Sequence, residues 1–361
     1  MDRTESARID LIRIICILSM MWVHVSPGLS VPSVISGGSM DVIGRVLGNT
    51  LGRISVTTLS FVSGYLFWKT AAHRNMRDVV QRLSISICLP ALAWSAVFIL
   101  MALAKVRLLG LSSSSLPATS VGWMAAINAW AGLTGPTANL SLFFIRDLIV
   151  STLIVRLAFP LFRRAPWLPV VMVLPIACVE TLAPVLFRPS ILVFVTLGAA
   201  SARSGLTIVG LSLPRIALPA GFLLVISAHL MTANLTDLRF EHLVHNLLNR
   251  AGLGFFILAA AHALMANADG RSYAFVSRHC FLAYLSHVPV IGVFWVIWQR
   301  VIGGAQDTSY VVFYLLMPPI IMALAVFCGR RLDHAPTRLQ ILLRGKIVAA
   351  SGPDPGALAP H

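Results

Sequence analysis

Charge is scarce in this chain. Asp, Glu, Lys and Arg make up 11% of its 361 residues, 57% are hydrophobic, and the mean hydropathy is +0.84. A soluble domain of that composition would not stay in water, which excludes the soluble enzymes and binding modules and puts the chain in lipid. Acidic residues are scarcer still, 13 against 28 Lys and Arg, for a net charge of +15. Such a surplus suits nucleic acid only on a soluble domain with a basic face, and none is present, so nucleic acid is not expected as a partner. Cysteine is sparse and unpatterned: Cys16, Cys88, Cys178, Cys280 and Cys328 lie in or beside apolar segments, without CxxC or Cys/His spacing. They read as packing residues, and no metal is expected. No small-x-small cleavage site follows the first apolar stretch at His24-Val25-Ser26-Pro27, so that stretch reads as a retained first span rather than a removed signal. No internal repeat of the kind that marks many transporters is found.

What the chain does have is long apolar runs. Stretches of about 17 to 25 such residues fit helices crossing a hydrocarbon core of about 30 Å, whereas a barrel would show weak alternation in short strands. The fold class is therefore all-α, a polytopic membrane protein of about ten transmembrane helices around a central cavity. Spans are expected at Ile9 to Val25, Leu51 to Trp68, Leu83 to Ala104, Leu140 to Phe162, Leu168 to Phe187, Ser190 to Ala202, Ile216 to Met231, Leu247 to Met265, Phe281 to Trp298 and Tyr310 to Cys328. The sixth is short for untilted lipid and needs shielding by neighbours.

The basic residues alternate along this series, as positive charge does when it gathers on the cytoplasmic side. Arg3 and Arg8 precede span one, Lys69, Arg74, Arg77 and Arg82 join spans two and three, and Arg163 and Arg164 join four and five. Arg203 and Arg215, Arg271 and Arg278, and the group Arg330, Arg331, Arg338, Arg344 and Lys346 continue that side, while Ser26 to Val42 and Leu108 to Leu142 contain no Lys or Arg. Both termini are expected in the cytoplasm, which requires an even number of spans. Residues 1–330 form one transmembrane domain, and 331–361 a basic, then Gly/Pro-rich tail whose end, Ser351 to His361, is expected to be disordered. The stretch Leu108 to Asn139, with Trp123 and Trp130 among small apolar residues, reads as an interfacial or re-entrant segment.

Charged groups inside lipid are costly and mark candidate sites. Span one carries Arg13 and His24 with ten residues between them, a rise of about 16 Å and a rotation of about 1,100°, some 20° beyond three full turns, so both lie on one face. Arg13 near the cytoplasmic end suits the phosphates of a cytosolic donor, or else snorkels or pairs with Asp10. His24, in the opposite half, suits a base, or else is an interfacial histidine beside Trp22. A histidine with ordinary pKa near 6.5 is the side chain fitted to take a proton from a hydroxyl at neutral pH. The spacing of His229, His242 and His245 makes no metal motif, and His262 and His279 carry no assignment.

Arg8, Asp10, Arg13 and His24 reproduce a pattern R-x-D-x-x-R followed by His, and Gly52, Arg53, Val56, Phe61, Ser63, Gly64, Tyr65 and Leu66 a pattern G-R-x-x-V-x-x-x-F-x-x-S-G-[FY]-L. Arg82 and Pro90 mark the third span, although the second arginine often found between them is absent. Leu142-Phe143-Phe144-Ile145-Arg146-Asp147-Leu148 resembles L-W-F-L-R-D-L, Phe194 to Gly198 is similar to F-x-x-x-G, and Phe281 to Pro289 to F-x-x-Y-L-x-H-x-P. Taken in order from span one to span nine, these motifs resemble the membrane-bound acyltransferase 3 family.

That resemblance implies a carbohydrate O-acyltransferase of a bacterial inner membrane, taking acyl groups, most often acetyl, from cytosolic acyl-coenzyme A to an exopolysaccharide, O-antigen, glucan or lipid-linked precursor. Under it Arg13 and Arg82 hold donor phosphates, and Ser63 and Gly64 line the path of the pantetheine arm or simply pack helices. Arg53 orients the acceptor or stabilises the thioester oxygen, unless it pairs with Asp41 or Glu180. His287 is a second polar contact to substrate or a satisfied interhelical histidine, and Arg146-Asp147 a structural pair. His24 either removes the acceptor's proton or attacks first as an acyl-histidine. A transporter or flippase of a polysaccharide precursor, and a scaffold for its synthesis, are the readings that need no bond making.

Overall fold

In lipid a backbone amide has no water to bond, so an apolar chain must satisfy its own peptide groups, and helices do this within each segment. The computed structural model describes residues 3–25, 43–110, 122–178, 181–207, 213–232, 239–265, 270–304 and 307–346, and among them there is no strand, only an isolated bridge between Leu182 and Leu186. The loop Ser26 to Val42 with Asp41, Glu180, the tail end Ser351 to His361 and the side chains of Arg53, His229, His242 and His245 lie outside the described residues.

Helix α1, Arg3–His24, runs through the middle of the fold. Its Ile9, Ile12, Cys16 and Met20 recur at helical spacing and are buried, because neighbours cover that stripe on several sides: α2 (Arg53–Thr70), α12 (Gly270–Ser277), α13 (Cys280–Val301) and α14 (Tyr310–Leu332). A π-helical stretch, Gly44–Gly52, leads into α2. Glu5 ties the start of α1 to the end of α2, accepting from Tyr65 Oη and from Lys69 Nζ at 3.1 Å.

Helices α3 (Met76–Leu83) and α4 (Leu89–Leu109) are joined through a π-helical turn, Ser84–Cys88, into one rod. Pro90, early in α4, has no amide hydrogen to give, and the widened turn before it absorbs that gap. The rod's 33 residues from Met76 to Leu108 are about 50 Å long, more than a hydrocarbon core of about 30 Å, so the rod can span the core without immersing its charged Arg77 and Arg82 end. Gly110, at φ 63°, closes it with the left-handed cap that glycine adopts freely. The short helix α5, Trp123–Ala131, lies against α4, with Trp130 Nε1 donating to Leu92 O at 3.0 Å and an exposed Trp123.

Helices α6 (Phe143–Leu157) and α7 (Phe159–Arg164) follow. The expected fifth span, Leu168 to Phe187, is not one helix. It breaks into α8 (Leu168–Val173) and a 3-10 turn at Pro175–Cys178, with the Leu182–Leu186 bridge beyond; Pro169 is tolerated in the first turn of α8, whereas Pro175 and Pro184 lack the amide hydrogen that a continuing helix would need. The short sixth segment is α9, Pro189–Arg203; α10 (Leu213–Thr232) and α11 (Arg239–Met265) precede α12. Among the described residues, four helical stretches are long and apolar enough to cross a membrane: Met76–Leu108, Leu247–Leu264, Cys280–Val301 and Tyr310–Leu332.

The tightest crossing joins α2 to α9. Gly64 faces the backbone of Val195 and Gly198 faces the backbone of Phe61, so each helix meets the other where it has no side chain. At the other end of the chain, α15 (Thr337–Arg344) folds back. Arg344 pairs with Asp333 and donates to Gln340 Oε1 at 2.6 Å, Asp333 also accepts from Arg278 at 3.3 Å, and Trp94 Nε1 reaches Leu343 O at 3.1 Å. Residues 331–346 are thus docked on the helical domain.

Candidate functional site

A cavity of about 240 Å³ opens where the end of α1 meets the starts of α2, α6 and α9. Each wall has a local cause. The last turn of α1 presents Met20, Val23 and His24, with Trp22 anchored on the other side by its Nε1 hydrogen bond to Tyr314 O at 3.1 Å. From α2 come Thr57 and Ser60; Ser60 Oγ donates to Val56 O at 2.7 Å. Ser141 lies in a 3-10 turn capped by Asn139, whose Oδ1 accepts from Ser141 Oγ at 2.7 Å, while Tyr284 Oη donates to the Ser141 carbonyl.

Asp147 builds the wall contributed by α9. Its fully buried carboxylate pairs with Arg146 at 2.8 Å and accepts the backbone amides of Phe187 at 3.3 Å and Arg188 at 2.7 Å. The Arg146 guanidinium lies over the Phe187 ring, 4.2 Å from its centroid, and donates to Leu133 O at 3.0 Å and Val185 O at 3.2 Å. The expected Arg-Asp pair is therefore formed, and it holds the chain entering α9 so that Arg188 and Ser190 line the cavity. Arg250 of α11 lines it too.

Of the described residues given a site role from the sequence, His24 alone lies in this lining, beside Gly52, Val56, Phe143, Phe144 and Phe194 of the quoted motifs. His287 stands directly behind it, fully buried, with ring centroids 5.2 Å apart. The His287 Nδ1 sits 2.5 Å from the Tyr284 carbonyl. A carbonyl only accepts, so Nδ1 carries the proton and Nε2 is left as an acceptor; it has no hydrogen-bond partner. The motif F-x-x-Y-L-x-H thus serves the cavity twice, Tyr284 through the Ser141 turn and His287 through His24.

The remaining candidates lie elsewhere. Arg13 pairs with Asp10 at 3.6 Å, and Asp10 accepts from Ser277 Oγ at 2.7 Å. Lys346, after the docked α15, is close enough for the charges of Arg13 and Asp10 to act on it. This second basic locus is separated from His24 by the helical rise of about 16 Å along α1. Arg82 is exposed near the end of α3. Gly64 is buried in the α2–α9 crossing with Ser63 partly exposed beside it, and neither lines the cavity. Arg53 opens α2, with its side chain outside the described residues.

Sequence reasoning missed Arg188, Arg250 and the hydroxyls of Thr57, Ser60 and Ser141. Arg250 was within reach, being a cation inside the expected span Leu247 to Met265. Arg188 stands between spans and carries no such signal.

Comparison with known proteins places these features. The acyltransferase 3 family model, described as an acyltransferase domain, matches residues 6–330. The succinoglycan biosynthesis protein ExoH of Rhizobium meliloti (strain 1021) is 29% identical over 374 residues, covering 99% of this chain and 98% of that protein. No solved structure matches the chain.

Proposed function

The chain belongs to the acyltransferase 3 family, and we propose that it moves an acyl group from cytosolic acyl-coenzyme A to a hydroxyl of an exported or cell-envelope carbohydrate. The part played by its relative in making succinoglycan supports a polysaccharide or its lipid-linked precursor as acceptor. We place the protein in a bacterial inner membrane with both termini in the cytoplasm, as the alternating basic residues suggest.

One observation carries the reading: His24 faces the cavity while His287, locked by Tyr284, turns an unused acceptor nitrogen toward no other group. A small rotation of the His24 ring lets one of its nitrogens donate to His287 Nε2. Its other nitrogen then holds a lone pair toward the cavity. An acceptor O–H in the cavity gives its proton to that nitrogen as its oxygen attacks the thioester carbonyl. The C–S bond breaks, and the coenzyme A thiolate takes the proton back from the imidazolium. His287 disperses the charge that His24 gains in between. An acyl-histidine intermediate uses the same ring as nucleophile and breaks the same C–S bond.

The donor's phosphates belong at the other end of α1, with Arg13, Lys346 and Arg82, since guanidinium forks match phosphate oxygens. The length of α1 between Arg13 and His24 suits a donor whose thioester sits at the end of a long arm. Ser63 and Gly64 act on that arm through the crossing they form, and Arg53 through the acceptor. Transport without bond making would need no base at His24.

The test is transfer of label from acetyl-coenzyme A to an envelope glycan by the purified full chain, with His24→Ala, Arg13→Ala and His287→Asn alongside. Wild type should transfer, His24→Ala should lose about 100-fold or more, and Arg13→Ala should raise the donor KM. His287→Asn should lower kcat with the donor KM unchanged. Equal transfer by His24→Ala would remove the base, and movement of glycan across vesicles without label transfer would establish transport instead.

A further inference from the structure

The cavity's polar lining is unbalanced. Among the described residues of its lining, Arg188 and Arg250 stand with His24 and four hydroxyl side chains, and no carboxylate does. Sugar hydroxyls donate as well as accept, so a site for a neutral sugar needs strong acceptors, carboxylates foremost. Guanidinium groups only donate. Of the described acids on the helices that form the cavity, Asp147 is committed to Arg146 and two backbone amides, and those of α1 lie at its far end, Asp10 with Arg13 and Ser277 and Glu5 with Tyr65 and Lys69. Among the described residues no carboxylate pairs with the Arg188 guanidinium. Its backbone, by contrast, is held firmly, since Asp147 accepts its amide at 2.7 Å. The fold thus spends a buried carboxylate on placing Arg188 at the cavity, while no described carboxylate pairs with its cation. Arg188 is exposed where it lines the cavity, so an incoming anion can reach its guanidinium and meet a planar fork of donors.

We propose that this cavity recognises its acceptor through an anionic group, a carboxylate or a phosphate, which Arg188 grips as a planar fork. The inference rests on the acyl-transfer reading, and it names the class of acceptor. Two sources supply the same chemistry, an acidic sugar residue within the glycan and the diphosphate of a lipid carrier. In either case the anion fixes the register of the acceptor, so that one hydroxyl lies at His24.

The experiment measures equilibrium binding to the purified full chain in lipid nanodiscs, with no donor present. Three probes are used: a galacturonate trisaccharide, the neutral galactose trisaccharide, and a neutral disaccharide on a polyprenyl diphosphate. At least one charged probe should bind about 10- to 100-fold more tightly than the neutral trisaccharide, and which one does so identifies the source. Arg188→Gln should abolish that preference with neutral binding unchanged, while Arg188→Lys, which keeps the charge without the fork, should retain part of it and report on folding. In turnover, Arg188→Gln should lower kcat/KM for the charged acceptor by about the same 10- to 100-fold, since it loses both the grip and the register.

Equal binding of all three probes, or an undiminished preference in Arg188→Gln, overturns the inference. Transfer without charge preference does so while leaving acyl transfer standing. Charge-selective binding with no transfer from any acyl-coenzyme A keeps the anion site and overturns acyl transfer.

Discussion

Replacing Gly64 by alanine should loosen the fold and disable the cavity together. An added Cβ at Gly64 would lie 2.7 Å from the carbonyl carbon of Val195 and 2.9 Å from its Cα, and closer still to its oxygen, where ordinary contact begins at 3.4 Å. The obstacle is backbone, which cannot swing aside as a side chain would, so α2 and α9 must part by at least about 0.7 Å at that point. Overpacking costs about 1–3 kcal/mol. A backbone obstacle in the tightest crossing of the molecule puts this case near 3 kcal/mol, a large share of a total stability of about 5–15 kcal/mol. Gly198→Ala should behave alike, its Cβ falling 2.9 Å from both the Phe61 carbonyl carbon and the Tyr65 nitrogen.

The same parting moves the cavity walls, since α2 carries Thr57 and Ser60 while Arg188 and Ser190 stand at the start of α9. Melting of the purified protein in detergent, followed by tryptophan fluorescence, should show each single variant lowered by roughly 5 °C. The double variant should lose less than the sum, because one separation relieves both contacts. Acyl transfer should fall in every case. Melting and transfer indistinguishable from wild type in both single variants would show that the crossing is not as close as described and would refute the reasoning.

Two further perturbations test other parts of the account. Asp147→Asn removes the buried negative charge that a partly buried Arg146 and two backbone amides depend on; it should cost about 1–3 kcal/mol and raise the acceptor KM by releasing Arg188, and unchanged melting would discount the pair. His279, buried beside Gly329 with neither ring nitrogen hydrogen-bonded, has its pKa pushed below the ordinary 6.5 first by burial, then by Arg278, with Arg344 and Arg330 acting the same way and Asp333 opposing them. A lowered folded-state pKa means that its contribution is complete above about pH 6.5 and is lost as pH falls below that value. Melting temperature should therefore drop between pH 7.5 and 5, and less steeply in His279→Asn; an unchanged slope in that variant would assign the drop to other groups.

Hydropathy made the helical class legible, and motif order made the family legible. The broken fifth segment shows where the first signal ends. Leu168 to Phe187 is apolar enough to be read as a span, but its prolines decide its backbone, and a window average does not register where donors are missing. The first-span motif was legible in part. Arg13 takes the Asp10 pairing that had stood as its plain alternative, and His24 reaches the cavity, since both follow from local spacing on one helix. The Arg-Asp motif was readable as a pair, but not as the device that aims Arg188.

By itself, then, the sequence determined what depends on neighbours a few residues apart: apolar content, helical period, capping glycines, and the side of α1 that carries Arg13 and His24. Tertiary structure alone decided which groups share the cavity. Ser141, Arg188, Arg250 and His287 come from elements far apart in the chain, and packing brings them to His24, because the crossing of α2 with α9 and the carboxylate of Asp147 set helix positions that no local pattern encodes.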